Sequence, residues 1–190
     1  MNPARPMRAD ARRNYEQLLA VAREAFAQHG VDASLDDIAR HAGVGSGTLY
    51  RHFPNRTALL EAVFEDRVGE LIARGEALAT EEPPFEALAA WMRLMAEHLS
   101  SYRGIGAALL NDDGTKGVVV TGCHHAMAET AQLLLERAQE AGTVLPDVTP
   151  KDLLGLTNGV ALASEKYGAD RSTQADRLLG YVVEGIRRRS

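Results

Sequence analysis

Three observations predict an all-α fold. Apolar residues recur at intervals of three and four through nearly every segment, glycine and proline punctuate the segments, and nowhere do apolar and polar residues alternate as in a half-buried strand. About nine helices are expected. They form an N-terminal three-helix helix-turn-helix unit, joined by a long helix to a C-terminal helical bundle.

Residues 1–10, with Arg5 and Arg8 close to two prolines, read as a flexible arm, a disordered tail more than a minor-groove contact. A helix over 11–29 follows, with Leu18, Ala22, Ala25 and Phe26 on one face and Gly30 as its stop. Ser34 and Asp37 have the spacing of a capping box, so a helix starts at Leu35, with Ile38, Ala39 and Ala42 facing inward. Gly43 can turn at positive φ without penalty, and Val44 plugs the corner. The next segment, 47–53, turns Leu49 and Phe53 inward to meet Leu18, Phe26 and Ile38, leaving Ser46, Gly47, Thr48, Tyr50, Arg51 and His52 outside. Small, hydroxyl, aromatic and basic groups on an open face suit phosphates and base edges.

Pro54 and Asn55 end that segment, and a long helix over 56–80 carries Leu59, Leu60, Val63, Phe64, Val68, Leu71 and Ile72 at helical spacing. It links an N-terminal region, 1–56, to a C-terminal region, 57–190. After Pro83 and Pro84, helices are expected over 85–100, 102–110 and 118–141, with a polar loop at 111–117. Thr149, Pro150 and Asp152 then fit an N-cap, a first-turn proline and an acidic first turn. Two last helices cover 150–167 and 172–188.

The net charge of −5 is unevenly spread: residues 1–56 hold eight arginines against six acids, +2, and the remainder is −7. The N-terminal part can therefore approach phosphates while the rest stays soluble. No apolar run approaches a membrane span, the N-terminus lacks a signal peptide's apolar core, and one cysteine, Cys123, fits a reducing compartment. A cytoplasmic protein with no membrane partner is expected. Catalysis finds no support, because no phosphate loop, H-E-x-x-H or nucleophile elbow is present. Cys123, His124 and His125 are consecutive, so on a helix they point about 100° apart and cannot share one ion. Neither a metal nor another cofactor is expected.

The run AGVGSGTLYRHFPNRTALL, together with the segment before it, resembles the signature of TetR-family transcriptional regulators across residues 12–60. Two positions depart from it: Gly45 stands where serine is usual, and Ser46 where a basic residue is common. The resemblance implies DNA contacts at Ser34, Ser46, Gly47, Thr48, Tyr50, Arg51, His52 and Arg56. Thr48 and Gly47 lie nearest base edges, Tyr50, His52 and Arg56 on phosphates, and Ser34 is a phosphate-contacting cap. It also implies that 1–56 is a DNA-binding domain and 57–190 an effector-binding and dimerisation domain, in a homodimer on a palindromic double-stranded operator, most often as a repressor released by a small-molecule effector. A helical protein-binding or metal-sensing module is the alternative.

Large apolar and a few polar groups in the C-terminal part, Trp91, Met95, Leu99, Tyr102, His124, Met127, Leu134 and Asn158, with His98 and Thr130, have the mix of an effector pocket. An ordinary packed core uses the same residues. The last two helices each carry two apolar faces, one more than a monomer's outer shell needs. Leu153, Leu156, Gly159, Val160, Leu178, Val182 and Ile186 are the expected dimer interface, in line with the four-helix bundle that the resemblance implies.

Overall fold

Helix follows helix wherever the apolar spacing is unbroken. The computed structural model describes residues 4–111 and 118–188. Its α-helices are α1 (Ala4–His29), α2 (Leu35–His41), α3 (Ser46–His52), α4 (Arg56–Glu81), α5 (Pro84–Asn111), α6 (Val118–Glu140), α7 (Pro150–Ser164) and α8 (Arg171–Ile186). A 3-10 segment, Glu165–Asp170, separates the last two. No β-strand forms among the described residues; an isolated antiparallel bridge joins Val144 to Arg187.

The α-helices among the described residues number eight, not about nine. The expected break near residue 101 does not occur: Met95, Tyr102, Ile105 and Leu109 keep one buried stripe running, and the Ser100–Ser101 pair is no helix breaker. Nor does the N-terminal arm extend to residue 10. Helix α1 begins at Ala4 and takes in Pro6, whose missing N–H costs nothing in a first turn. Of the expected loop at 111–117, Asn111 ends α5 instead, and the rest, like residues 1–3, lies outside the described residues. Helix α7 stops at Ser164, short of 167, and Gly168 turns the chain at φ +54 before α8.

The chain divides into two compact units, Met1–Asp66 with Gly104–Val119, and Arg67–Arg103 with Val120–Ser190. In the first, Leu18, Ala22 and Phe26 of α1 are buried with Ile38 of α2, Leu49 of α3, Phe53, and Leu59 and Val63 of α4. Burying side chains of this size contributes about 1.5–3 kcal/mol each. An Arg23–Asp66 ion pair ties α1 to α4 beside this core.

The second unit is centred on Trp91, Leu88, Met92 and Met95 of α5, Leu134 and Leu135 of α6, Leu153 of α7 and Leu179 of α8, all nearly inaccessible. The Trp91 indole donates to the Leu71 carbonyl across 3.1 Å, which satisfies a buried N–H. Helix α7 starts on a reciprocal capping box: the Asp152 amide donates to Thr149 Oγ1 at 3.2 Å, and the Thr149 amide to Asp152 Oδ2 at 3.0 Å. The Thr149 hydroxyl and amide together hold the Asp152 carboxyl below its ordinary pKa. The chain end is fastened too, by Leu145 N–H to Ile186 O at 3.0 Å and Arg188 N–H to Thr143 O at 2.9 Å.

Candidate DNA-binding site

Ser34 begins the site in extended conformation, φ −68 and ψ 122, and its hydroxyl accepts from the Asp37 amide at 3.2 Å. Only this half of the expected capping box forms. The Asp37 carboxylate turns instead to Arg40, 2.6 Å away, an i, i+3 partner on the same helix. Gly43 sits at φ +71, as its place in the turn requires, and the Val44 amide reaches back to Ala39 O at 3.0 Å.

Gly45 is the N-cap of α3 and offers no side-chain cap. The Ser46 hydroxyl, one residue on, donates to Asp36 Oδ1 at 2.7 Å, so the start of α3 is fastened sideways to α2. Leu49 is the buried residue of α3, and Phe53 closes the helix with its amide on Leu49 O at 2.8 Å. The rest of the helix faces outward: Tyr50 is 47% exposed, Ser46, Gly47 and Arg51 are exposed, and Thr48 is half-buried.

Two expected residues are more tightly held than an open face suggests. His52 is half-buried, edge-on to Tyr15 with ring centroids 5.9 Å apart, and Tyr15 in turn lies 5.1 Å from Phe53. Burial, then the Asp66 and Glu65 carboxylates, raise the Tyr15 phenol above its ordinary pKa, so it stays protonated and packs as an aromatic prop. Arg56 Nη1 donates to two carbonyls of the α1–α2 connection, Val31 O at 2.7 Å and Ala33 O at 2.6 Å. Neither Tyr15 nor the Asp36–Ser46 bond was visible in the sequence, because each depends on a partner brought in from another helix.

A short helix with one buried residue, set across a glycine corner from a capped helix, is the geometry that presents a helix to a DNA groove. Residues 18–63 match the bacterial regulatory proteins of the tetR family, and 83–188 match the C-terminal domain of SbtR-like transcriptional regulators. The second match alone spans more than half of the chain.

The chain belongs to the TetR family.

A TetR transcriptional regulator of Streptomyces coelicolor is 36% identical, and the superposition covers 92% of this chain and 99% of that one with a TM-score of 0.80. A TetR regulator of Mycobacterium vanbaalenii, also 36% identical, covers 96% of this chain and 100% of its own, with a TM-score of 0.76. The HTH-type transcriptional regulator UidR of Escherichia coli is 27% identical over 195 residues, 95% of this chain and 96% of UidR. This TetR-family protein is thus a DNA-binding transcriptional regulator and not an enzyme. No described helix is long and apolar enough to cross a membrane.

In the second unit of this TetR-family chain the residues expected to line a pocket differ in burial. Trp91, Met95, Tyr102, Met127 and Leu134 are buried, and Leu99 is half-buried. His124 and Asn158 are exposed, and His124 lies near enough to His98 to act on its charge. Trp91 is a core residue fixed to α4, and the Thr130 hydroxyl donates to Ala126 O at 3.1 Å. His98 is buried and stacks on Tyr102, with centroids 5.4 Å apart and planes at 16°.

The expected dimer residues also divide. Leu153 and Val160 lie on the buried side of α7 with Thr157, Ala161 and Ser164, and Ile186 on the buried side of α8 with Ala175, Leu179 and Val183. The outward apolar surface is formed by Leu156, Leu162 and Tyr181, respectively 42%, 54% and 67% exposed, beside exposed Gly155 and Gly159 and half-buried Leu178 and Val182.

Proposed function

We propose that this regulator works as a homodimer on a palindromic operator and is a repressor released by a small-molecule effector. The region 1–56 is the DNA-binding part, 57–190 the effector-binding and dimerisation part, and the helix from Arg56 connects them. The observation that carries the reading is the outward face of α3, with Tyr50, Arg51, Ser46 and Gly47 exposed around one buried leucine. Gly47 and Thr48 are placed nearest base edges; Tyr50, Arg51, His52 and the Ser34 cap fix register on phosphates.

Two copies of α3 must lie roughly 34 Å apart to enter successive major grooves. An effector that prefers a dimer of another spacing lowers operator affinity in proportion to its differential affinity for the two states, and not otherwise. The outward leucines and Tyr181 of α7 and α8, with the small residues between them, supply the face for the second copy.

Selection of bound duplexes from a random pool supplies the probe. Thr48→Ala and Tyr50→Ala are each expected to weaken binding to the selected duplex by about 1–3 kcal/mol, the cost of a lost base or backbone contact. Unchanged affinity in both variants overturns the assignment of α3 as the reading helix.

A further inference from the structure

Four residues carry the chain from α1 to the cap of α2. Gly30 turns at φ +72, the Ala33 amide closes a turn on Gly30 O at 3.2 Å, and Ser34 comes next. The Val31 and Ala33 carbonyls have no helix to join, and both accept from Arg56 Nη1, at 2.7 and 2.6 Å. One guanidinium nitrogen carries two N–H groups in a fixed plane, so a single arginine can serve both carbonyls. On the other side, a Cβ at Gly104 of α5 would lie 3.9 Å from Val31 Cγ1, so the connection is flanked by α5 as well.

This connection leads directly into the reading apparatus. Fixing Ala33 fixes Ser34, whose hydroxyl accepts from the Asp37 amide and whose carbonyl accepts from Ile38 N–H at 3.0 Å. Helix α2 so placed presents Asp36 to the Ser46 hydroxyl at the start of α3, 2.7 Å away. Arg56 is also the first residue of α4, where a cation opposes the helix dipole; its two carbonyl bonds offset that cost.

We infer that Arg56 is a positioning residue for DNA binding: it locks the α1–α2 connection and through it sets the cap of α2 and the angle of α3, and it does not contact phosphate. This role rests on the proposal that α3 reads DNA. A phosphate-bound arginine and a positioning arginine differ in their salt signature, because only the first releases counterions.

The test uses Arg56→Ala and Arg56→Gln, the second neutral but still an N–H donor to the carbonyls. Binding to a duplex selected by the wild-type protein from a random pool is measured across a series of KCl concentrations, and amide exchange of Asp37 and Ile38 is followed in the free protein. Arg56→Ala is expected to bind about tenfold more weakly with an unchanged slope of log affinity on log salt, and to exchange faster at both amides. Arg56→Gln should recover most of the affinity and the protection. A slope reduced in both variants by about 0.9 per protomer, with exchange unchanged, overturns the inference in favour of a phosphate contact. Should Arg56→Ala not fold, the salt slope of Arg56→Gln decides: unchanged supports the inference, and reduced by about 0.9 per protomer overturns it. A wild-type protein that selects no duplex defeats the DNA-binding reading itself, and unaltered exchange in a folded Arg56→Ala defeats the positioning role separately.

Discussion

Burial holds the His98 imidazole uncharged: desolvation first, then the positive field of Arg67 and a smaller contribution from His124, lower its pKa from 6.5 to about 4. The unfolded chain protonates this group below about pH 6.5, whereas the folded one resists until about pH 4. Stability from His98 is therefore complete above pH 6.5 and falls as pH drops through that window, by at most about 3 kcal/mol. His98→Phe keeps a ring against Tyr102 and removes the proton site. Its melting temperature should fall less than the wild type's between pH 6.5 and 4, and parallel curves would rule the effect out. Single residues are also where reading the sequence was least complete. Ser34–Asp37 and Thr149–Asp152 share one spacing, yet only the second closes reciprocally: Arg40 takes the Asp37 carboxylate, whereas the Thr149 amide and hydroxyl both hold that of Asp152. A spacing states which bonds are possible, and the neighbours decide which is made.

Elements were far more legible. The 3.6-residue stripe and its Gly and Pro stops located the helix-turn-helix almost to the residue, since Gly43 and the Leu49–Phe53 pair allow few other solutions. Helix fusion in α5 and the burial of Leu153, Val160 and Ile186 were not legible, because a two-faced apolar helix does not say which face its own unit takes. Gly75 is another element-scale fact with no local signal. On α4 it looks like any helical glycine, but a Cβ there would meet the Thr130 methyl group and lie 2.8 Å from Trp91 Nε1. The absent side chain lets α4 approach α5 and α6 at the point where the indole bonds to Leu71 O. Gly75→Ala, which raises intrinsic helix propensity, should nonetheless destabilise the protein by about 1–3 kcal/mol through overpacking. Chemical denaturation measures it, and a stabilised variant would mean that the Trp91 and Thr130 side chains yield freely.

For the whole molecule, charge supports the proposed duplication. Residues 1–56 carry only +2, with no lysine and with Gly45 and Ser46 at the start of α3, so a single copy gains little from phosphates. Joining two weak sites raises overall affinity by about 10²–10⁴ without any new contact, provided the geometry lets both engage at once. The proposed joining is assigned to the exposed Leu156, Leu162 and Tyr181 of the last two helices, because exposed apolar side chains cost solvation until they are covered. Leu162→Glu combined with Tyr181→Glu places charges at positions 54% and 67% exposed, so each chain should keep its helicity while the dimer dissociates. Sedimentation should then show a dimer for the unaltered protein and a monomer for the double variant. Binding to a duplex carrying two half-sites should fall by about 10² or more, and binding to one half-site should hardly change. A wild type that sediments as a monomer, or a double variant that holds the two-half-site duplex as tightly as before, would move the source of affinity from this patch to the N-terminal unit alone.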